Sequence, residues 1–89
     1  MYYVYILHLN NNQLYTGSTA DLKRRYLEHK NGKVVSTKNK RPVKLIHYEG
    51  YFLQSDAIRR EKFLKTAEGK RLLRQQLRDM LQNINYKLP

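Results

Sequence analysis

The N-terminal segment MYYVYILHLNNNQLYTGST constrains the fold more than any other stretch of the sequence. Tyrosine, valine and isoleucine, which strands favour, dominate a first arm over residues 2–9, and a second arm follows at residues 14–17. The asparagines between the arms tolerate the left-handed backbone that turns often need. Both arms are apolar on both faces, so they predict a β-hairpin within a sheet that is covered on two sides.

The hairpin leads into a predicted helix over residues 20–30. Ser18 or Thr19 is expected to cap this helix, because a hydroxyl at that position accepts a hydrogen bond from a free backbone N–H. Gly32 is the expected stop signal, since glycine readily adopts the left-handed conformation that commonly ends helices.

The C-terminal half of the chain predicts one more strand and two more helices. The strand is expected over residues 43–52, and the second helix over residues 55–65 with Ser55 as its N-cap. Apolar residues at helical spacing predict a last helix over residues 70–84 that packs on the sheet. The resulting order, ββαβαα, describes a single α+β domain over residues 1–89.

Basic residues greatly outnumber acidic ones. The chain has 18 lysine and arginine residues against 7 aspartate and glutamate residues, which gives a formal net charge of +11. This excess predicts a polyanionic partner, with nucleic acid first and an anionic membrane surface second. The alternative is a basic domain whose lysines serve only solubility.

The chain contains no cysteine. Disulfide-linked partners and thiolate metal sites are therefore excluded, and a reducing compartment is favoured. The apolar run over residues 2–9 is too short for a membrane span and lacks the features of a secretory signal. We therefore expect a cytoplasmic location and no membrane partner.

Seven basic residues of the first predicted helix and the following loop form a candidate nucleic-acid surface. Lysine and arginine there can contact phosphates, although a solvated loop explains each one equally well when it is taken singly. The seven residues are Lys23, Arg24, Lys30, Lys33, Lys38, Lys40 and Arg41.

Three polar side chains occupy positions that helices normally bury. Arg25 and His29 share one helical stripe with Leu22 and Tyr26, and Glu61 lies on the apolar side of the second helix. A carboxylate in such a position is costly to desolvate unless it is paired or binds a metal. In a purely structural interpretation, Arg25 and Glu61 form an ion pair, and His29 stabilises the end of its helix by its charge.

A catalytic interpretation takes the same side chains together with the hairpin tyrosines. A carboxylate can hold a divalent cation, and a guanidinium can neutralise the charge that develops on a phosphate. A phenol or an imidazole can take a proton from an attacking water. These are the groups that metal-assisted phosphodiester cleavage needs.

Two triplets of the hairpin, YVY at residues 3–5 and YTG at residues 15–17, resemble the strand motifs that name the GIY-YIG nuclease superfamily. As in that family, an arginine follows the tyrosine of the second motif by ten residues, and a histidine follows four residues later; these are Arg25 and His29. The run AIRREKFLK places Glu61 where the metal-binding glutamate of the family belongs. The resemblance covers about residues 1–71 and points to the small, single-domain bacterial members.

The resemblance implies a three-stranded, mainly antiparallel sheet flanked by helices. It also implies an endonuclease that hydrolyses DNA with one divalent cation, Mg²⁺ or Mn²⁺, in repair or recombination. No dedicated DNA-binding domain accompanies the motifs, so the expected binding to DNA is sequence-indifferent or structure-selective. Gly17 would let the backbone turn tightly into the first helix.

The resemblance also implies a role for each of five site residues. Tyr15 is the general base, or acts with His29 to orient the water, while Tyr5 hydrogen-bonds within the site. Arg25 holds and neutralises the scissile phosphate, and Glu61 is the metal ligand.

The chain departs from the family pattern at a late polar residue, which is often asparagine. Leu73 stands twelve residues beyond Glu61, and the neighbouring Gln75 and Gln76 are the candidate substitutes. A non-catalytic nucleic-acid-binding module that keeps the fold is therefore the alternative function. An interaction domain for an acidic protein is a third hypothesis.

The catalytic interpretation makes a geometric prediction about the hairpin. Side chains alternate between faces along a strand, so Tyr5 and Tyr15 share a face only if the residue numbers of directly paired residues add to an even sum. A loop of odd length, such as residues 11–13, or a bulge meets this condition. A two-residue loop would put the tyrosines on opposite faces.

Overall fold

The computed structural model describes residues 1–87 and confirms the α+β class. Three strands form an antiparallel sheet in the order β2-β1-β3. No helix within these residues is both long enough and apolar enough to cross a membrane. The elements are, in chain order, β1 (Tyr2–His8), β2 (Leu14–Thr19), α1 (Leu22–Lys30), a 3₁₀ turn (Lys38–Lys40), β3 (Lys44–Tyr51), α2 (Gln54–Leu64), α3 (Ala67–Gln76) and α4 (Arg78–Asn83).

The loop of the β1–β2 hairpin has an odd length, as the catalytic interpretation predicts. A hydrogen bond of 2.9 Å from the Leu9 N–H to the Gln13 carbonyl encloses residues 10–12, and the last of these has a left-handed φ of 68°. The loop therefore lies one residue earlier than the predicted example, residues 11–13. Paired residues in the two strands have even sums, so Tyr5 and Tyr15 lie on the same face of the sheet.

One face of the sheet, here called the α1 face, packs against α1. Its buried side chains include Tyr5, Leu7 and Leu9 of the first strand and its end. Leu22 and Tyr26 of α1 pack against them, which is the anchoring that the helical stripe predicts. The hydrophobic contact fixes α1 across the strands that carry the two tyrosines.

The opposite face, here called the α2–α4 face, carries the larger core. Val4 and Ile6 of β1 are almost fully buried there against Ala57 and Leu64 of α2 and against Leu73 of α3. The sheet is therefore covered on both sides, which explains why the hairpin arms are apolar on both faces.

The start of α1 differs from the prediction. Asp21 is the N-cap, and its carboxylate accepts a hydrogen bond of 3.1 Å from the Arg24 N–H. Ser18 and Thr19, the predicted caps, belong to β2 because strand pairing continues through them. Gly32 follows the end of α1 as predicted and has a left-handed φ of 75°.

Two further predictions about the helices are wrong. Leu53, rather than Ser55, is the N-cap residue of α2, and no side chain caps that helix. The predicted last helix is two helices that meet at Leu77, so the order gains a third C-terminal helix, ββαβααα.

Gly69, which directly precedes the predicted last helix, lies inside α3. Thr66 caps this helix by accepting a hydrogen bond of 3.0 Å from the Gly69 N–H. Gly69 is buried, and a side chain there would collide with the backbone carbonyl of Phe63 in α2. The glycine therefore permits two helices to approach closely rather than ending one of them.

Candidate active site

A buried hydrogen-bonded chain connects β1, α1 and the basic loop. The Tyr5 hydroxyl lies 2.9 Å from Nε2 of His29, and Nδ1 of the same imidazole lies 2.8 Å from the Thr37 hydroxyl. Tyr5 is 1% exposed, and His29 and Thr37 are 0% exposed. Thr37 is not predicted as a site residue by the sequence, because one threonine in a polar loop carries no periodic signal.

Burial shifts the pKa values of the two titratable groups in this hydrogen-bonded chain. Burial, followed by the charge of Arg25, lowers the pKa of His29, so the imidazole is neutral at neutral pH. Burial raises the pKa of Tyr5 to about 12 against the opposing effect of the nearby Arg25 guanidinium. A neutral imidazole has one donor and one acceptor nitrogen, and here each of them has a hydroxyl partner.

Gly17 provides the space that Tyr5 occupies. The two residues pair across β1 and β2, and any side chain at position 17 would collide with the Tyr5 hydroxyl. Gly17 lies within β2 and not at a turn into α1, so the tight-turn role implied by the resemblance is wrong. What requires glycine here is the close approach of an aromatic ring.

Tyr15 and Arg25 complete the group on the α1 face. The half-buried Tyr15 ring lies 5.1 Å from the His29 ring and 6.4 Å from the Tyr5 ring, centroid to centroid. The guanidinium of Arg25 lies near the Tyr5 phenol, which raises the pKa of the guanidinium, and one of its nitrogens lies 3.1 Å from a Glu28 oxygen. Four of the five predicted catalytic side chains thus meet on one face.

Glu61 approaches from the other side of the sheet. Ser18 donates a hydrogen bond of 2.6 Å to one oxygen of this carboxylate, and Lys65 pairs with the other oxygen at 2.9 Å. Since Ser18 pairs with Val4, it projects onto the α2–α4 face, opposite Tyr5 and its neighbours. β2 is an edge strand, so the two halves of the site lie on either side of a sheet edge.

The neighbours of Glu61 keep its carboxylate ionised. Burial acts to raise its pKa, but hydrogen bonds from Ser18 and Lys65 outweigh burial, so the pKa is lowered and the group is anionic at neutral pH. Its charge is also one of the causes that raise the pKa of Tyr5. Arg25 pairs with Glu28 instead of Glu61, so the purely structural ion pair considered above is not formed.

The candidate nucleic-acid surface is exposed except at Lys40, which is half-buried. Arg41 differs from the rest, because its guanidinium lies against Gly32 and donates to the Lys38 carbonyl at 2.9 Å. It therefore helps to hold the C-terminal end of α1. The exposed basic residues are Lys23, Arg24, Lys30, Lys33, Lys38 and Arg41.

The possible substitutes for the late polar residue lie on α3, and both are exposed. Gln75 lines a groove against α4 with Arg78 and Leu81. Its neighbours are thus distinct from Ser18 and Lys65, the partners of Glu61.

Comparison with known proteins assigns the class. A family model described as the GIY-YIG catalytic domain matches residues 1–75. The chain therefore belongs to the GIY-YIG family, a family of nucleases, and the resemblance seen in the two hairpin motifs is confirmed.

Within that class, the chain is similar to small proteins called UPF0213. It is 42% identical over 66 residues to one from Staphylococcus epidermidis, which covers 73% of this chain and 80% of the relative. It is 38% identical over 84 residues to one from Haloquadratum walsbyi, with 91% and 94% covered. The solution NMR structure of a UPF0213 protein from Bacillus halodurans matches with a TM-score of 0.53 and 32% identity, and 82% of each chain is covered.

Proposed function

We propose that this protein is a divalent-metal-dependent endonuclease that hydrolyses DNA phosphodiester bonds in repair or recombination. The observation that carries the proposal is the meeting of a guanidinium, two phenols and an imidazole on the α1 face, with an anionic carboxylate across the β2 edge. This is the set of groups that phosphodiester hydrolysis needs.

Tyr15 and Arg25 would contact the reacting groups. The Arg25 side chain is 36% exposed, so a phosphate can reach its guanidinium and have its negative charge neutralised there. Tyr15 is the half-buried phenol of the site and would take the proton of the attacking water, as the family resemblance implies.

His29 and Tyr5 would act behind these two residues. A phenol whose pKa is about 12 keeps its proton, and a buried neutral imidazole cannot touch a phosphate directly. The imidazole would instead hold the phenol in one orientation, and Tyr5 would present its oxygen to Arg25. Both residues thereby preorganise the guanidinium for the scissile phosphate.

Glu61 fits a Mg²⁺ or Mn²⁺ ligand. Mg²⁺ binds one or two carboxylates, retains several waters and takes further oxygens from substrate phosphates. The Glu61 side chain is 20% exposed, and within residues 1–87 no three histidine, cysteine or acidic side chains cluster. A bound cation would supply Lewis-acid stabilisation of the departing oxygen. To bind that cation, the Glu61 carboxylate would give up its ion pair with Lys65.

DNA would be gripped through the exposed cations of α1 and the loop after it. Phosphate contacts of this kind bind without regard to base sequence and weaken with salt. The proposal therefore includes sequence-indifferent or structure-selective binding.

Cleavage assays with matched variants test this proposal. Nicked, branched and single-stranded DNA would be incubated with the protein and Mg²⁺ or Mn²⁺, with and without a chelator. Glu61→Gln is compared with Glu68→Gln, which removes an exposed carboxylate from α3. We expect the chelator and Glu61→Gln to abolish cleavage, and Glu68→Gln to retain it.

Two results would contradict the proposal. Cleavage that survives both the chelator and Glu61→Gln would exclude the metal-dependent mechanism. Binding without cleavage on every substrate would instead favour the non-catalytic nucleic-acid-binding module.

A further inference from the structure

An open groove of about 560 Å³ runs along the α2–α4 face, between the β1–β2 hairpin and α3. Apolar side chains such as Leu64 form part of its lining, and cationic and neutral polar groups form the remainder. Its cations are Lys70, Arg74 and Lys87. The function proposed above does not use any of these residues.

We propose that this groove holds one strand of nucleic acid that continues from the scissile bond. The inference rests on the proposed function, because it takes nucleic acid to be the substrate. It adds a second binding surface on the face of the sheet opposite the seven predicted cations.

The charge of the groove is the first argument. None of the residues that line it is acidic. Each of the seven aspartate and glutamate side chains lies within ion-pair distance of an arginine, lysine or histidine. None of these partners lines the groove. Within residues 1–87, the three groove cations form no such pair. They therefore present uncompensated positive charge to a polyanion.

The second argument is continuity with Glu61. Leu64 lines the groove one helical turn after Glu61 on α2. Thr16 also lines it and projects from β2 onto the same face as Ser18, the residue that donates to the Glu61 carboxylate. A strand bound at Glu61 therefore reaches the groove without crossing the sheet.

The third argument is an aromatic side chain at the end of the groove. The Tyr86 ring packs edge-on against the His8 ring with centroids 6.2 Å apart, and Asn12 donates a hydrogen bond of 2.9 Å to the Lys87 carbonyl. These contacts fix the C-terminal segment on the hairpin. Tyr86 is half-buried, so part of its ring remains accessible at the end of the groove. A cationic groove that ends in an aromatic ring suits single-stranded nucleic acid, whose bases stack on such rings.

Binding without turnover tests this inference. Fluorescence anisotropy would measure the affinity for a labelled single-stranded oligonucleotide in the presence of a chelator, so that cleavage does not intervene. The double variant Lys70→Ala/Arg74→Ala is compared with Arg59→Ala/Arg78→Ala, which removes the same charge from exposed positions on α2 and α4.

We expect the groove variant to lose about ten-fold in affinity or more, and the control variant to lose much less. Each phosphate contact to a single strand contributes roughly 0.7 to the slope of log affinity against log salt. Because the groove variant lacks two cations, its slope should be shallower by about 1.4. Tyr86→Leu should weaken binding by roughly five-fold or more through lost stacking. Circular dichroism checks that each variant stays folded.

Equal losses in the groove and control variants would overturn the inference, and so would tighter binding of polyglutamate than of the oligonucleotide. The latter result would point to an acidic protein as the partner. Since the readout is binding, an inactive nuclease leaves it interpretable. Conversely, groove variants that bind and cleave normally would overturn this inference and leave the proposed nuclease intact.

Discussion

The stability of the fold should depend on pH through Glu49, a residue of β3 on the α2–α4 face. Both carboxylate oxygens are occupied by Arg60, at 2.9 and 3.2 Å, and Tyr51 donates to one of them at 2.7 Å. His47 lies 3.0 Å from the other oxygen. Burial acts to raise the pKa of Glu49, but these hydrogen bonds outweigh burial and lower it to about 2.

The magnitude follows from the difference in proton affinity between the folded and unfolded chains. A pKa that falls from 4.5 to about 2 corresponds to about 3 kcal/mol of stability, at about 1.4 kcal/mol for each tenfold change. The Glu49 side chain is 21% exposed, so solvent screening leaves most of this contribution in place. That is a large share of the roughly 5–15 kcal/mol that stabilises a typical domain.

The sign is set by the lowered pKa. The unfolded chain takes up a proton at Glu49 at a higher pH than the folded chain does. The contribution is therefore complete above pH 4.5, and it is lost as the pH falls toward 2. By pH 3, about 2 kcal/mol of it should have disappeared.

Urea unfolding monitored by circular dichroism at pH 7 and pH 3 measures this loss. Glu49→Gln should destabilise the protein markedly at pH 7, and its difference from the unmodified protein should shrink by about 2 kcal/mol at pH 3. Glu68→Gln is the control: Arg71 also lowers the pKa of that carboxyl, but the pair is exposed to solvent, so the pH dependence should be much smaller than that of Glu49→Gln. A difference for Glu49→Gln that stays constant between pH 7 and pH 3 would refute the reasoning.

Three further substitutions test individual contacts. Gly17→Ala should displace the Tyr5 ring and slow single-turnover cleavage by about ten-fold or more while the fold persists; an unchanged rate would show that this ring is not part of the site. Gly69→Ala should destabilise the fold by about 2 kcal/mol in thermal unfolding because α2 and α3 must separate, and a neutral effect would contradict that packing. Thr37→Val should cost about 1–3 kcal/mol by leaving Nδ1 of His29 without a partner, whereas Thr37→Ser should restore it; equal stabilities would contradict the buried hydrogen bond.

The sequence predicted the elements whose signals are local and periodic. Alternation along two strands, combined with the hypothesis that Tyr5 and Tyr15 share a site, predicted a hairpin loop of odd length or a bulge, and the structure has the odd loop. The stripe that contains Arg25 and His29 likewise predicted which side of α1 packs on the sheet. Both inferences used the regular repeat of side chains along a strand or a helix.

Features that depend on contact between distant elements were missed or misinterpreted. The face of the sheet from which Glu61 approaches depends on how α2 packs, which no local pattern records. Gly69 resembled a helix end because its reason for being glycine lies in another helix. The hydrogen bond of Thr37 to the imidazole is likewise visible only after the basic loop has folded over α1.

Cation binding by Glu61 can be measured directly with Mn²⁺ as the probe. Electron paramagnetic resonance would count bound Mn²⁺ during a titration of the protein, with and without inorganic phosphate in place of the substrate phosphate. We expect the unmodified protein and Glu68→Gln to bind one Mn²⁺, more tightly with phosphate present, and Glu61→Gln to bind about ten-fold more weakly or worse. Undiminished Mn²⁺ binding by Glu61→Gln would contradict the assignment of this carboxylate as the metal ligand.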